Sequence, residues 1–179
     1  MDLDTSTFCS KNFKYEDFIS CSETFKAMNI TNAPYLSATY DFLSQLANDI
    51  LEPCLLEFGN LQLTYGFCGH ALSSAIKKRR GGIYPPLDQH AGMELNAAGG
   101  LICSRGGIAA DFHCKPTSSL KVAKFVVERL PFDRLYFYGE DRPIHVSVNK
   151  VLTSQIVVMR KVNTKIVPKR VAHGTFLSM

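Results

Sequence analysis

Five histidines (His70, His90, His113, His145 and His173) and one aspartate in an apolar setting are the residues of this sequence best suited to chemistry. His145 lies within the alternating run Ile144-His145-Val146-Ser147-Val148. Period-two geometry puts its imidazole on one strand face with Pro143 and Ser147, while Ile144, Val146 and Val148 turn towards a core. Asp111 follows Gly107-Ile108-Ala109-Ala110, small residues that let other backbone pass closely. A carboxylate in such surroundings needs a partner, because an unpaired buried charge costs several kcal/mol. A zinc ion held by His, Asp and His is one such partner and leaves a fourth position for water. A capping role for the aspartate is the plainer alternative. The six cysteines (Cys9, Cys21, Cys54, Cys68, Cys103 and Cys114) contain no CxxC pair. A zinc ribbon or thioredoxin-like redox motif is therefore excluded, and buried free thiols are expected.

The elements that must position these groups are legible in outline. Residues 11–30 read as short helices, with Ser20 or Ser22 as caps. A longer helix follows Pro34, since Leu36, Tyr40, Leu43, Ala47, Ile50 and Cys54 recur at three- and four-residue steps. Pro53 should kink it or limit its last turn, and Gly59-Asn60 should end it. Residues 61–65 alternate as a strand. Residues 66–107 are glycine-rich and lack period, with loop signals at 77–82, 84–86 and 98–100. So long a stretch inside a compact domain usually carries function. An amphipathic helix is predicted from Ser119 to Leu130, capped by Ser118 or Ser119. Paired strands are expected at 134–138 and 144–148 around a turn at 139–143. A basic hairpin over Asn163-Thr164 joins 155–159 to 165–171.

The chain's 179 residues, 46% of them hydrophobic and 20% charged, suit one globular domain and exclude fibrous and disordered classes. No apolar run approaches the roughly 18 residues of a membrane span. The acidic start Met1-Asp2-Leu3-Asp4-Thr5 predicts no secretory signal and a cytoplasmic origin. Net charge is +4, yet from Lys150 onward there are six basic residues and no acidic one. The remainder carries 14 basic against 16 acidic residues, a net −2. A slightly acidic body with a basic tail is consistent with a polyanion partner such as nucleic acid, or with a lysine-protected sheet edge.

Several fragments occur in a telling order. These are Leu51-Glu52-Pro53 with Phe58-Gly59, Leu63-Thr64-Tyr65-Gly66-Phe67, Asp88-Gln89-His90, Gly107-Ile108-Ala109-Ala110-Asp111, Leu130-Pro131-Phe132-Asp133, and Ile144-His145-Val146-Ser147. Together, over residues 12–149, they resemble the M15 family of zinc D-Ala-D-Ala peptidases of the phage and bacterial C-terminal-domain type. The resemblance implies an α+β fold of the Hedgehog/DD-peptidase kind, with N-terminal helices packed on a small, mainly antiparallel sheet. It implies a peptidase-like domain over residues 1–150, followed by a basic extension over 151–179 that packs on it as a β-hairpin. It further implies zinc on His90, Asp111 and His145, and a peptidoglycan-type peptide as substrate. Glu140, or else Asp141, just upstream of the last histidine, is the implied general base. An enzyme of that kind without a secretory signal would reach the wall on lysis or within a virion.

Two departures stand out. The family's first zinc histidine lies seven residues before the aspartate, where this chain has Ser104; His90 stands 21 residues before Asp111. Insertion of a loop over residues 91–105, with His90 kept as ligand, is the expectation, and loop closure costs little extra with length. His113 and Cys114 are candidate substitute ligands, with simple burial the favoured reading for both. The family's carboxylate-binding arginine is Cys68 here, and a thiol lacks the guanidinium fork. Cys68, Ser104 and Arg105 are accordingly expected at the substrate site, with Arg79, Arg80 or Arg105 supplying the missing charge. The rival reading is a catalytically altered module that binds nucleic acid or a protein partner in a phage or defence assembly.

Overall fold

A computed structural model describes residues 4–20, 23–28, 30–78 and 88–179. Ser22, Arg79, Arg80 and the turn signals at 81–86 lie outside the described residues.

Six strands of the described residues form one sheet in the order β1-β2-β4-β3-β5-β6: β1 (Leu61–Tyr65), β2 (Ile108–Cys114), β3 (Arg134–Phe137), β4 (Ile144–Val148), β5 (Gln155–Val162) and β6 (Lys165–Val171). Every pairing is antiparallel except β3 with β5. Among the described residues, seven α-helices accompany it: α1 (Tyr15–Ile19), α2 (Glu23–Ala27), α3 (Ser37–Leu46), α4 (Glu52–Phe58), α5 (His70–Lys78), α6 (Ser119–Arg129) and α7 (His173–Leu177). The architecture is mixed α and β. Among the described residues, no helix is long and apolar enough to cross a membrane.

Alternation along the strands divides the sheet into two faces. Phe112, Ala110, Ile144, Val146, Leu135 and Ile156 point to the main core, where Leu43, Leu46, Ile50, Val122, Val126 and Phe176 meet them from α3, α6, α7 and the turn after α3. The opposite face carries the polar residues and forms the floor of a cleft. The sequence-predicted long helix is present, but it changes pitch. Pro53 has no N–H to close an α-helical bond on the Asp49 carbonyl, and the chain widens into a π turn over Ala47–Leu51 before α4 resumes. Pro53 thus marks a change of pitch rather than an end. Residues beyond 150 are woven into the domain. β5 extends the same sheet, Ile156 and Val158 join the core, and Phe176 of α7 packs edge-on against Phe137 at 5.7 Å.

The segment 91–105 is a compact excursion. Leu95 bridges Leu101, and the Asn96 side chain accepts from the amides of Ala98 and Gly100. Glu94, buried at its base, turns its carboxylate to Tyr35 N, Leu36 N and Thr39 Oγ1, capping the N-terminus of α3. No local side chain caps that helix, so a residue 55 positions away does so. The excursion then returns through Gly107 (φ +72°), where a Cβ would collide with the Val148 carbonyl oxygen. Only glycine lets β2 begin beside β4 there.

The five described cysteines are buried free thiols. Burial pushes Cys9 up to about 12, and Cys68 and Cys114 to about 11.

Candidate metal centre

One register row crosses the whole sheet. Tyr65 opposes Asp111, Asp111 opposes His145, His145 opposes Tyr136, Tyr136 opposes Val157, and Val157 opposes Arg170. All six line a cleft of about 870 Å³. Tyr65 reaches this row only through a β-bulge. Leu63 opposes Phe112 and Tyr65 opposes Asp111, so Thr64 is the extra residue, and its hydroxyl donates to the Asp111 carbonyl at 3.1 Å. Bulges re-aim side chains in this way beside functional sites.

His90 arrives from above the row on a single 3-10 turn, Gln89–Ala91. Its Nε2 lies 3.3 Å from Asp111 Oδ1, and His145 Nδ1 lies 2.8 Å from the same oxygen. The two imidazoles meet edge to face at 4.9 Å, and Tyr65 and Tyr136 close the flanks at 4.9 and 5.1 Å. Asp88 Oδ1 stands 3.7 Å from His90 Nε2 and also accepts from the His90 amide at 3.0 Å. Ligand atoms of Asp88, His90 and His145 all lie within 4.8 Å of one another, a grouping that could hold a metal ion.

The turn bearing His90 is held by a buried polar latch. Gln89 donates to the Gly106 carbonyl at 2.9 Å and to Asp133 Oδ2 at 3.0 Å, and it accepts from Ser147 Oγ at 2.9 Å. Gln89, Asp133 and Ser147 are each 2% exposed or less. Asp133 also takes the amide and hydroxyl of Thr153. One network thus joins residues 89, 133 and 147, which lie on three separate segments. On its other side the His90 carbonyl accepts from Cys68 N at 2.9 Å.

His90 Nδ1 donates to the Gly66 carbonyl at 2.7 Å, which fixes a proton on Nδ1 and turns Nε2 towards Asp111. Gly66 can offer that carbonyl because it packs directly on the Phe18 backbone, where a Cβ would collide with the Phe18 oxygen. Burial opposes charge on His90. The carboxylates of Asp88 and Asp111 and the Gly66 carbonyl outweigh it and raise the imidazole to about 9. Burial likewise pushes Asp111 up, but His90 and His145 outweigh it and hold the carboxyl well below its ordinary 3.8. Without a metal, the His90 imidazolium therefore faces the Asp111 carboxylate.

The donor set could hold a divalent metal ion. Two imidazole nitrogens and a carboxylate oxygen are borderline ligands, and neighbouring ligands of a tetrahedral zinc lie about 3.3 Å apart. A carbonyl fixing the tautomer of a ligating histidine is the expected outer support.

His90, Asp111 and His145 are brought together although the sequence separates them widely, and His90 is the histidine that approaches Asp111. Among the other expected site residues, Arg105 lines the cleft and donates to the Tyr136 hydroxyl at 3.4 Å. Ser104 is exposed and does not line the cleft. Cys68 is buried and lines a separate pocket of about 200 Å³ with His70, Ser73 and Lys77. Glu140 and Asp141 are exposed, lining another pocket with His113 and Lys115. The Glu140 carbonyl receives the Ser119 amide at the start of α6. The expectation that one of these carboxylates serves the metal site is corrected accordingly: Asp88 stands where they do not reach. His113 pairs with Gln62 at 2.9 Å, and Cys114 belongs to the core. Neither replaces His90. Gln89 acquires its role here through long-range contacts, and Asp88 through its nearness to His90 and His145. Their one local signal was a carboxylate and an amide immediately before a candidate ligand.

No family model matches the chain, and neither a curated protein nor a solved structure matches it.

Proposed function

We propose that this protein is a zinc-dependent amide hydrolase of the DD-peptidase type, acting on a peptidoglycan-type peptide. The observation that carries the proposal is the convergence of His90 Nε2 and His145 Nδ1 on Asp111 Oδ1, on the floor of a large cleft. The ordered resemblance of the surrounding fragments to the M15 family supports the substrate class and the DD-peptidase-type fold.

His90, Asp111 and His145 would hold the ion. Zinc in that position supplies a Lewis acid that acidifies a water and polarises an amide carbonyl. Asp88 accepts the proton at its carboxylate, since it borders the ligands and lines the cleft. Arg105, steadied by Tyr136, presents a guanidinium to an acidic group of the substrate, the service that Cys68 cannot perform. Tyr65 and Tyr136 keep the ligand rings in place and exclude water from their edges.

Incubation of the zinc-loaded protein with a synthetic pentapeptide ending in D-Ala-D-Ala tests the reading. Release of an amino acid or shorter peptide, reduced at least 100-fold in Asp88→Asn with zinc content unchanged, is expected. A zinc-replete protein that leaves this peptide and cross-linked wall peptides intact overturns it.

A further inference from the structure

The outer half of the β5–β6 hairpin is not used by the metal site. Every residue from Arg160 to Arg170 is exposed, and the segment holds Arg160, Lys161, Lys165, Lys169 and Arg170 with no carboxylate. Its base is fixed. Ile156, Val157 and Val158 are buried beside β3, and after β6 the His173 ring reaches the Ser154 carbonyl at 2.9 Å. From Met159 to Val162 the ribbon runs about 10 Å.

We infer that this ribbon docks into the major groove of duplex DNA. The register distributes its cations over both faces. Lys161 and Ile166 form a pair on the face continuous with the cleft, while the pairs Arg160–Val167 and Val162–Lys165, with Lys169 beyond them, lie on the other. A flat anionic membrane engages one face only, whereas a groove presents a phosphate backbone to each. The major groove, about 12 Å wide and 8.5 Å deep, admits a two-stranded ribbon. Ile166, Val162 and Val167, at 66, 52 and 43% exposure, leave apolar surface suited to thymine methyl groups. Pro168 interrupts the free edge of β6, which disfavours a peptide strand or a second copy adding there. Residues before Lys150, at net −2, turn this end towards a polyanion. The deep, narrow major groove of duplex RNA is closed to such a ribbon.

The test is fluorescence anisotropy with a 20-base-pair DNA duplex, the matching RNA duplex and phosphatidylserine vesicles. Four arm cations outside the cleft (Arg160, Lys161, Lys165 and Lys169) give an expected log–log salt slope of about −3.6. Lys165→Gln with Lys169→Gln is expected to lower DNA affinity about 50-fold at 0.1 M salt and to reduce the slope by about 2. Arg160→Gln with Lys161→Gln does the same from the other strand, and both variants keep the wild-type circular dichroism. Affinity unchanged in both variants, absence of DNA binding, or RNA or vesicles bound as tightly as DNA overturns the inference. None of these outcomes depends on zinc or on hydrolysis.

Discussion

Replacing Gln89 by alanine probes the latch that places His90. The amide makes three buried hydrogen bonds, to the Gly106 carbonyl, Asp133 Oδ2 and Ser147 Oγ. A neutral hydrogen bond contributes about 1 kcal/mol net and one to a carboxylate about 1.5–3, so Gln89→Ala should cost about 3–5 kcal/mol. Asp133 keeps Thr153 as a partner, which places the expected loss near the lower figure. At this chain length each kcal/mol lowers Tm by about 2–4 °C, giving a drop of roughly 6–12 °C. Residues that orient a metal ligand typically change affinity by about 10–100-fold, so zinc binding should weaken by that factor. Ser147→Ala removes one bond of the same latch and should cost about 1 kcal/mol. Calorimetry and a competitive zinc titration on the same samples provide the assay. If Gln89→Ala melts within 2 °C of wild type and binds zinc as tightly, the latch does not position His90 and the reasoning fails.

Two further outcomes follow from groups remote from the cleft. Glu94→Ala removes the carboxylate that caps α3 at Tyr35 N, Leu36 N and Thr39 Oγ1, and should cost about 2–3 kcal/mol in urea denaturation; a loss below about 0.5 kcal/mol contradicts the capping role. Glu52 ties the N-terminal segment to α4. Burial pushes its carboxyl up, but bonds from Ser10 Oγ, Asn12 Nδ2 and Asn12 N hold it below its ordinary 4.5. A depressed folded-state value means stability that is present above pH 4.5 and is lost as pH falls through the folded value. Melting curves from pH 6 to about 3 should therefore fall more steeply for wild type than for Glu52→Gln, and parallel curves show that Glu52 contributes nothing.

Much of the frame was legible because it repeats at short range. Strand alternation places His145 opposite a core of Ile144, Val146 and Val148, and the three-four spacing from Tyr40 to Cys54 marks the buried face of the long helix. Asn163, with φ +54°, turns the basic hairpin as its residue type suggests. What periodicity could not carry was the work of contacts distant in sequence. Examples are the cap that Glu94 gives α3, the bulge that brings Tyr65 beside Asp111, and the Gln89–Asp133–Ser147 latch. Glu140 and Asp141 were expected at the site through closeness in sequence to His145, yet their side chains line a separate pocket with His113 and Lys115. Asp88, 57 residues from His145, is the carboxylate that folding brings near.

Zinc stoichiometry combined with X-ray absorption at the zinc edge tests the metal centre most directly. One zinc per chain is expected, with nitrogen and oxygen ligands at about 2.0–2.2 Å, lost in His90→Ala and in His145→Ala but retained in Glu140→Ala. A folded protein that takes up no zinc, or that binds it through sulfur and keeps it when His90 is removed, contradicts the account.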